Sequence, residues 1–140
     1  MEYKRFQDKI FLRCDPGEEI LEQLNIVCEK ENVRLALISG LGSVTKAVIG
    51  IFDLAEKHFY ATTLEEPMEI GTLTGTVTNK NGAVYLHVHA VLGKTDGTAY
   101  TGHLKEGIVM ATAEIVLDLI EGEVGRQFIP ETGLHPMVFS

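Results

Sequence analysis

The sequence predicts an α+β domain, in which a mostly antiparallel, twisted sheet of about six or seven strands carries one principal helix. Only one segment places apolar residues at helical spacing, and almost every other apolar segment is typical of a strand bounded by turn residues. The length of 140 residues suits one domain, and no repeat, low-complexity tract or linker divides it. We therefore expect a single domain over 1–140, with a core of about 5–122 and a C-terminal arm of 123–140.

The first predicted elements are a strand over 6–13 and the helix that follows it. Asp15 can cap the helix, Pro16 suits its first position, and Glu18, three residues after Asp15, completes a capping box. The next apolar residues recur at helical spacing and give the helix one apolar face: Ile20, Leu21, Leu24, Val27 and Cys28. We expect the helix to end near residues 31–32.

Strands account for the rest of the predicted core. Their ranges are 33–39, 44–53, 58–63, 68–78, 83–92 and 107–120, and the last of these has a composition that also permits a helix. Asn81-Gly82 is a strong hairpin signal, while the Gly-rich stretch 39–43 and residues 94–97 are typical of turns. One helix covers only part of one face of such a sheet, so we expect self-association to cover the remainder.

The charge balance excludes some classes of partner. Twelve Lys and Arg against twenty Asp and Glu give a net charge of −8, which argues against broad binding to nucleic acid or anionic membranes. No apolar run approaches the roughly 20 residues that span a bilayer, and the N-terminal residues lack a signal-peptide stretch. We therefore expect a cytoplasmic protein. Cys14, at a strand end, and Cys28, on the buried helix face, are expected to be reduced thiols.

The most informative feature is a pair of histidines on one predicted strand. Alternate side chains of a strand share a face, so His87 and His89 project together, with their Cα atoms roughly 6–7 Å apart. Two imidazoles at that spacing can reach one metal ion, and His103, beyond the turn at 94–97, could supply a third ligand. The all-nitrogen set favours Zn²⁺, although nickel, cobalt and copper also bind imidazole. The alternative interpretation is a half-exposed polar face that binds no metal.

Two carboxylates are candidates for roles beside this site. Glu69 opens the strand that pairs with the histidine strand, and Glu114 stands in an otherwise apolar segment. Either could orient a ligand or transfer a proton, whereas the alternative for both is a solvent-facing side chain or a structural ion pair. His58 and His135 lie outside the pattern, and we expect them to be ordinary surface or packing residues.

Five short motifs follow one another along the chain: Asp15-Pro16-Gly17-Glu18, Ile38-Ser39-Gly40-Leu41-Gly42-Ser43, Glu69-Ile70-Gly71-Thr72-Leu73-Thr74-Gly75, Leu86-His87-Val88-His89 and Gly102-His103-Leu104. In this order they resemble the plant and prokaryote conserved (PPC) domain family, over essentially residues 5–122. The resemblance implies an α+β fold with an antiparallel sheet, one principal helix and a homotrimer. It also implies that His87, His89 and His103 hold a metal, zinc first, and that Glu69 matches the family's acidic residue before its Gly-rich strand.

Several functional hypotheses follow. The leading one is a stand-alone PPC-domain protein that binds one divalent metal per protomer of a homotrimer, where a small molecule could reach the metal. A second is a metal-dependent hydrolase or lyase, with Glu69 as the candidate for proton transfer. A third, by analogy with plant members that carry AT-hooks, is a DNA-binding module. The chain has no Arg-Gly-Arg-Pro AT-hook, so DNA binding requires a local basic patch, for example around Lys4, Arg5, Lys9 and Arg13. The fourth is a structural role for hydrogen-bonded histidines.

Overall fold

The computed structural model describes residues 1–139 of the chain. Within this range the chain forms one α-helix, α1 (Ile20–Lys30), and nine β-strands. The strands are β1 (Glu2–Phe6), β2 (Lys9–Cys14), β3 (Ala36–Asp53), β4 (His58–Leu64), β5 (Met68–Lys80), β6 (Ala83–Gly93), β7 (Ala99–Leu119), β8 (Gly125–Arg126) and β9 (Met137–Val138). A single helix beside a dominant sheet confirms the predicted α+β class.

Seven strands form one sheet in the order β1-β2-β7-β6-β5-β3-β4, and its neighbouring strands are antiparallel. β3 pairs with both β5 and β7, and β6 also pairs with both β5 and β7. These four strands therefore form a closed ring of pairings, which leaves fewer free edges than an open sheet would have. β8 and β9 form a separate two-stranded ribbon in the C-terminal arm.

The N-terminal segment differs from the predicted single strand over 6–13. β1 and β2 form an antiparallel hairpin instead, and the turn between them places Gln7 at a φ of 55°. A residue other than glycine is uncommon in this left-handed region, and no Asn-Gly pair marks the turn. The hairpin therefore carries no recognisable turn signal in the sequence.

The helix begins at Ile20, later than the start predicted just after Asp15. Gly17 adopts a φ of 84°, which lies outside the right-handed helical region and keeps the preceding segment in a turn. The Glu18 carboxylate does accept the N–H of Asp15 at 2.8 Å, but within this turn rather than at the helix start. The N-cap is Glu19, whose carboxylate accepts a backbone N–H of the first helical turn.

Two pairs of segments that were predicted to be separate are continuous strands. β3 runs straight through the predicted turn at 39–43, with a shift of its register beside Gly42. A Cβ at Gly42 would lie 2.3 Å from the carbonyl oxygen of Thr112, so glycine allows β3 and β7 to approach closely there. β7 likewise joins the segment around His103 to the 107–120 segment, which is a strand and not a helix up to Leu119.

The core lies between the inner face of the sheet and the helix. α1 packs against β7 and β6 through its buried residues: Ile20, Leu24, Val27 and Cys28. Both cysteines are buried and free, and burial raises the pKa of the Cys14 and Cys28 thiols to about 12. They therefore remain protonated at neutral pH and are poor metal ligands. No helix within residues 1–139 combines the length and the apolar character needed to cross a bilayer.

The C-terminal arm folds back onto the sheet. The N–H of Asn79 in β5 donates to the carbonyl oxygen of Val124 at 3.0 Å. The ammonium group of Lys57, in the turn between β3 and β4, donates to the carbonyl oxygen of Pro130 at 2.7 Å. These contacts bring the arm alongside β5, next to the strand that carries two of the histidines.

Candidate metal centre

Three histidines meet where β6 and β7 lie side by side. His87 and His89 alternate on β6, where they pair with Thr76 and Thr74 of β5. His103 of β7 lies directly opposite His89. The residues that follow each histidine in the chain are buried, so the three imidazoles project from the outer face of the sheet.

The path of β7 explains why His103 lies beside both residues of β6. The β6–β7 pairing ends at His103, and β7 continues opposite β3, where His103 faces Gly50. Gly102 has a φ of 153°, and a Cβ on it would lie 2.5 Å from the carbonyl oxygen of Gly50. Glycine at position 102 is therefore needed for β7 to pass from one partner strand to the other at this point.

The ring nitrogens of the three histidines converge. The Nε2 atoms of His87 and His89 are 3.2 Å apart, and one ring nitrogen from each of the three histidines lies within 4.8 Å of the others. His87 and His103 are half-buried, whereas His89 is exposed. Across residues 1–139, this is the one group of three or more potential ligand side chains that meets so closely.

This donor set fits a divalent transition metal. Two nitrogens that bind one zinc ion at about 2.0–2.1 Å with tetrahedral geometry stand about 3.3–3.4 Å apart. The 3.2 Å between Nε2 of His87 and Nε2 of His89 is close to that separation. A hydrogen bond between the two rings would give a similar distance, so the third imidazole, His103, distinguishes a metal site from a simple pair.

The protonation state of the histidines also suits metal binding. Burial lowers the pKa of His103 to about 4, with further lowering by the charges of Lys105 and the other two histidines. Burial also lowers the pKa of His87, assisted by the charges of His89, Arg126 and Lys105. Both imidazoles are therefore neutral at pH 7, and a neutral imidazole is the form that coordinates a metal.

Lys105 and Phe59 border the cluster on the β7 side. Lys105 follows His103 by two residues on the same strand, so both side chains lie on one face. The Phe59 ring meets the His103 ring edge-on at a centroid distance of 5.7 Å. The Lys105 ammonium lies 5.1 Å from the centroid of the Phe59 ring, which holds this positive charge close to the histidines.

Arg126 borders the cluster on the opposite side. Its guanidinium donates to the hydroxyls of Thr78 at 2.9 Å and Thr76 at 3.3 Å, and to the carbonyl oxygen of His135 at 3.2 Å. Its Cζ also lies 4.9 Å from the ring centroid of Tyr85. Thr76 is the β5 residue opposite His87, so the C-terminal arm delivers a fixed cation to the edge of the site.

The two candidate carboxylates lie away from the histidines. Glu69 is exposed and pairs with Gly93, four positions beyond His89 on β6, which is about 13 Å along the strand. Glu114 is also exposed and pairs with Arg13 and Leu41, near the other end of β7. Neither carboxylate belongs to the group of converging ligand atoms.

The other two histidines also lie outside the cluster. The His58 ring meets the Tyr60 ring edge-on at a centroid distance of 4.6 Å. His135 lies beside Phe128 at 5.1 Å and contributes its carbonyl oxygen to the Arg126 hydrogen bonds. Both side chains pack against aromatic rings, which agrees with the expectation that they are ordinary surface or packing residues.

The sequence analysis did not identify Lys105 or Arg126. Lys105 could have been found, because the alternation that groups His87 with His89 also places residue 105 on the face of His103. Arg126 had no such signal. Its position depends on the fold of the C-terminal arm, which local sequence patterns do not specify.

Comparison with known proteins places the chain beside related sequences and structures. The sequence profile of the Plants and Prokaryotes Conserved (PCC) domain matches residues 1–121, a range that includes the three histidines. This is the family written PPC in the sequence analysis, so the match confirms the resemblance expected there. The chain is also 30% identical, over 125 residues and 87% of its length, to the bifunctional protein GlmU of two Synechococcus strains. It spans less than a fifth of the length of these curated relatives, 19% and 18%.

Two solved structures resemble the chain over almost its whole length. One, from Bacteroides thetaiotaomicron and described as a candidate DNA-binding protein, has a TM-score of 0.96 at 30% identity, covering 99% of this chain and 96% of its own. The other, a metal-containing protein from Archaeoglobus fulgidus, has a TM-score of 0.87 at 35% identity, covering 99% and 97%.

Proposed function

Because the chain belongs to the Plants and Prokaryotes Conserved domain family, we propose that it is a PCC-domain protein that binds one divalent metal ion, zinc first, through His87, His89 and His103. The convergence of three ring nitrogens within 4.8 Å carries this proposal. The metal-containing protein from Archaeoglobus fulgidus, at 35% identity, supports it. Neutral imidazoles without a thiolate or carboxylate favour zinc over calcium or magnesium, which take oxygen ligands.

Titration of zinc into the metal-free protein tests the proposal. We expect the wild-type chain to bind about one ion, because three imidazoles complete most of a tetrahedral shell. The His87→Ala/His89→Ala double variant should bind no zinc that calorimetry can detect, while the control variant His58→Ala should bind zinc like the wild type. Equal binding by the double variant and the wild type would contradict the proposal.

The second candidate function is metal-assisted hydrolysis, hydration or lyase chemistry. The observation in its favour is that three protein ligands converge, a number typical of catalytic zinc sites that keep a position open. A bound divalent ion would polarise a carbonyl or phosphoryl oxygen of a substrate. Glu69 could transfer a proton only to a substrate that reaches about 13 Å along the strand. If Glu69 has this role, Glu69→Gln should abolish activity without altering zinc content.

DNA binding is the third candidate, and the name of the Bacteroides thetaiotaomicron protein suggests it. The basic patch that the sequence offered for this role is largely neutralised. Arg5 lies 3.3 Å from Glu31, Lys9 lies 2.6 Å from Asp118, and Arg13 lies 3.0 Å from Asp15. The net charge of −8 also repels the phosphates of DNA. We therefore expect no salt-sensitive binding in a titration with duplex DNA at low ionic strength.

A homotrimeric assembly in the cytoplasm is part of this proposal. The support for self-association is an uncovered apolar strip on the outer face of β2, β7 and β3. Phe11 is 53% exposed, Leu37 is 51% exposed and Leu41 is 56% exposed. Phe11 and Leu41 line a surface groove of about 700 Å³. Apolar surface of this kind is typical of a protein interface.

A further inference from the structure

The cations around the histidine cluster lack carboxylate partners. Acidic residues outnumber basic ones, twenty to twelve, and five of the twelve basic side chains form ion pairs: Arg5, Lys9, Arg13, Lys46 and Lys94. Within residues 1–139, however, Lys80, Lys105 and Arg126 have no carboxylate within ion-pair distance. All three contact aromatic rings beside the histidines instead: Lys80 and Arg126 lie over Tyr85, and Lys105 lies over Phe59.

Lys105 and Arg126 flank the cluster from opposite sides. At the histidines, β6 lies between β5 and β7. Lys105 belongs to β7, whereas Arg126 is hydrogen-bonded to two threonines of β5, so the two cations lie on either side of β6. Arg126 is held in place by three hydrogen bonds, yet a guanidinium has more N–H donors than these bonds use. The remaining donors are free to hold an anion.

The charged side chains that flank the histidines are both cations: Lys105 lies over Phe59, and Arg126 donates to Thr76 opposite His87. Many metal sites balance the ion with a carboxylate that is bound to a ligand histidine. Within residues 1–139, no carboxylate joins the converging ring nitrogens. A divalent ion with three neutral ligands would add positive charge to this surface.

From this arrangement we propose that the outer face around the histidines binds a small oxyanion, a carboxylate or phosphate group, which Lys105 and Arg126 hold against the metal centre. The inference rests on the proposed metal site and adds the ligand class to it. The anion would supply the negative charge that the site lacks, and the guanidinium and ammonium would bind its oxygens by charge-assisted hydrogen bonds. The Asp and Glu carboxylates elsewhere on the surface would repel an anion, whereas Lys105 and Arg126 would attract it to this face.

Cobalt provides a readout that does not depend on any catalytic activity. The metal-free protein is loaded with Co²⁺, free metal is removed, and the visible absorption bands are recorded during titration with inorganic phosphate and, separately, with acetate. We expect at least one of the two anions to shift the bands saturably. The variants Lys105→Gln and Arg126→Gln should each weaken that response about tenfold, the effect of losing one charge-assisted hydrogen bond.

Controls separate the anion site from folding and from the metal site. Lys30→Gln removes an unpaired charge at the end of α1 and should respond like the wild type. Arg126→Lys keeps the charge if Arg126→Gln fails to fold, and it should weaken the response less than Lys105→Gln does. Cobalt content should remain unchanged in every variant, because none of these residues is a proposed ligand.

Four results would overturn the inference. Bands that respond to neither anion in cobalt-loaded protein would overturn it while leaving the metal site intact. Equal anion responses in the wild type and in both Lys105→Gln and Arg126→Gln would do the same. A response only to duplex DNA would make this face a nucleic-acid surface. Failure of the wild type to take up cobalt would instead overturn the proposed metal site, and this inference with it.

Discussion

His89 links the two strands that carry the histidine cluster. Its backbone lies between Thr74 of β5 and His103 of β7, and its Nε2 lies 3.2 Å from that of His87. Side-chain alternation in one strand brings the first two imidazoles together, and a single opposed pair across β6 and β7 adds the third. At the scale of residues, the site therefore depends on three positions on two adjacent strands.

The metal-free protein should lose stability as the pH falls from about 6.5 to about 4. The unfolded chain protonates residue 103 near the usual histidine pKa of about 6.5, whereas burial in the folded state lowers the pKa of His103 to about 4. Protons therefore favour the unfolded state between these two values, and the contribution of His103 to stability is complete only above the upper one. Urea unfolding in the presence of a chelator, at steps from pH 7.5 to pH 4, measures this decline.

The variant His103→Gln serves as the control for that decline. It removes the titrating group, so its free energy of unfolding should fall less steeply over the same pH range. Parallel pH profiles for the variant and the wild type would show that His103 is not the group responsible.

At the scale of elements, β7 determines the shape of the site. Its first residues pair with β6, and from His103 onward it pairs with β3, so the strand changes partner at the histidine. Gly102 makes this change sterically possible, because any Cβ there would meet the carbonyl oxygen of Gly50 at 2.5 Å. The position of His103 therefore depends on the close approach of Gly102 to Gly50, and neither glycine is a metal ligand.

Gly102→Ala should destabilise the fold by about 1–3 kcal/mol, the usual cost of a strained backbone position. It should also weaken zinc binding, because relief of the clash with Gly50 requires the backbone next to His103 to move. Gly93→Ala is a suitable control, since a Cβ at Gly93 would lie 3.8 Å from the nearest atom, the Glu69 carbonyl oxygen. Thermal unfolding and zinc calorimetry on both variants measure the two effects, and matching results for them would contradict this account of β7.

Local patterns were sufficient to predict the α+β class, the helix face and the pairing of β5 with β6 through Asn81-Gly82. The same patterns predicted breaks at 39–43 and before residue 107 that do not exist. Glycines in those segments permit close packing of long strands rather than turns, and only the neighbouring strands reveal the difference. The hairpin around Gln7 was missed for the opposite reason, because its turn uses an atypical residue.

The candidate site was likewise predictable only where local patterns determine it. His87 and His89 follow from strand alternation, and His103 follows once a hairpin is assumed. The distance between Glu69 and the histidines depends on the register of β5 against β6. The position of Arg126 depends on how the C-terminal arm folds back onto β5. Those contacts join residues far apart in sequence, where periodicity carries no information.

At the scale of the whole molecule, the outer face of β2, β7 and β3 is the surface that α1 leaves uncovered. It combines apolar residues with charged pairs such as Lys9 and Asp118. We expect the double variant Phe11→Glu/Leu41→Glu to shift the protein from trimer toward monomer, because each substitution places a charge in a desolvated interface. The control Ile51→Glu alters a 65% exposed side chain on another part of the sheet and should remain trimeric.

Light scattering coupled to size-exclusion chromatography measures the mass of each species. A wild-type protein that runs as a monomer would contradict the homotrimer. A trimer that is insensitive to Phe11→Glu/Leu41→Glu but is disrupted by Ile51→Glu would place the interface on the other side of the molecule.

Anomalous X-ray scattering from a crystal grown with zinc tests the central proposal most directly. The account predicts one strong peak per chain at the zinc absorption edge, at about 2.0–2.1 Å from one ring nitrogen each of His87, His89 and His103. The absence of a peak among these three imidazoles, in a crystal with zinc bound elsewhere or not at all, would contradict it.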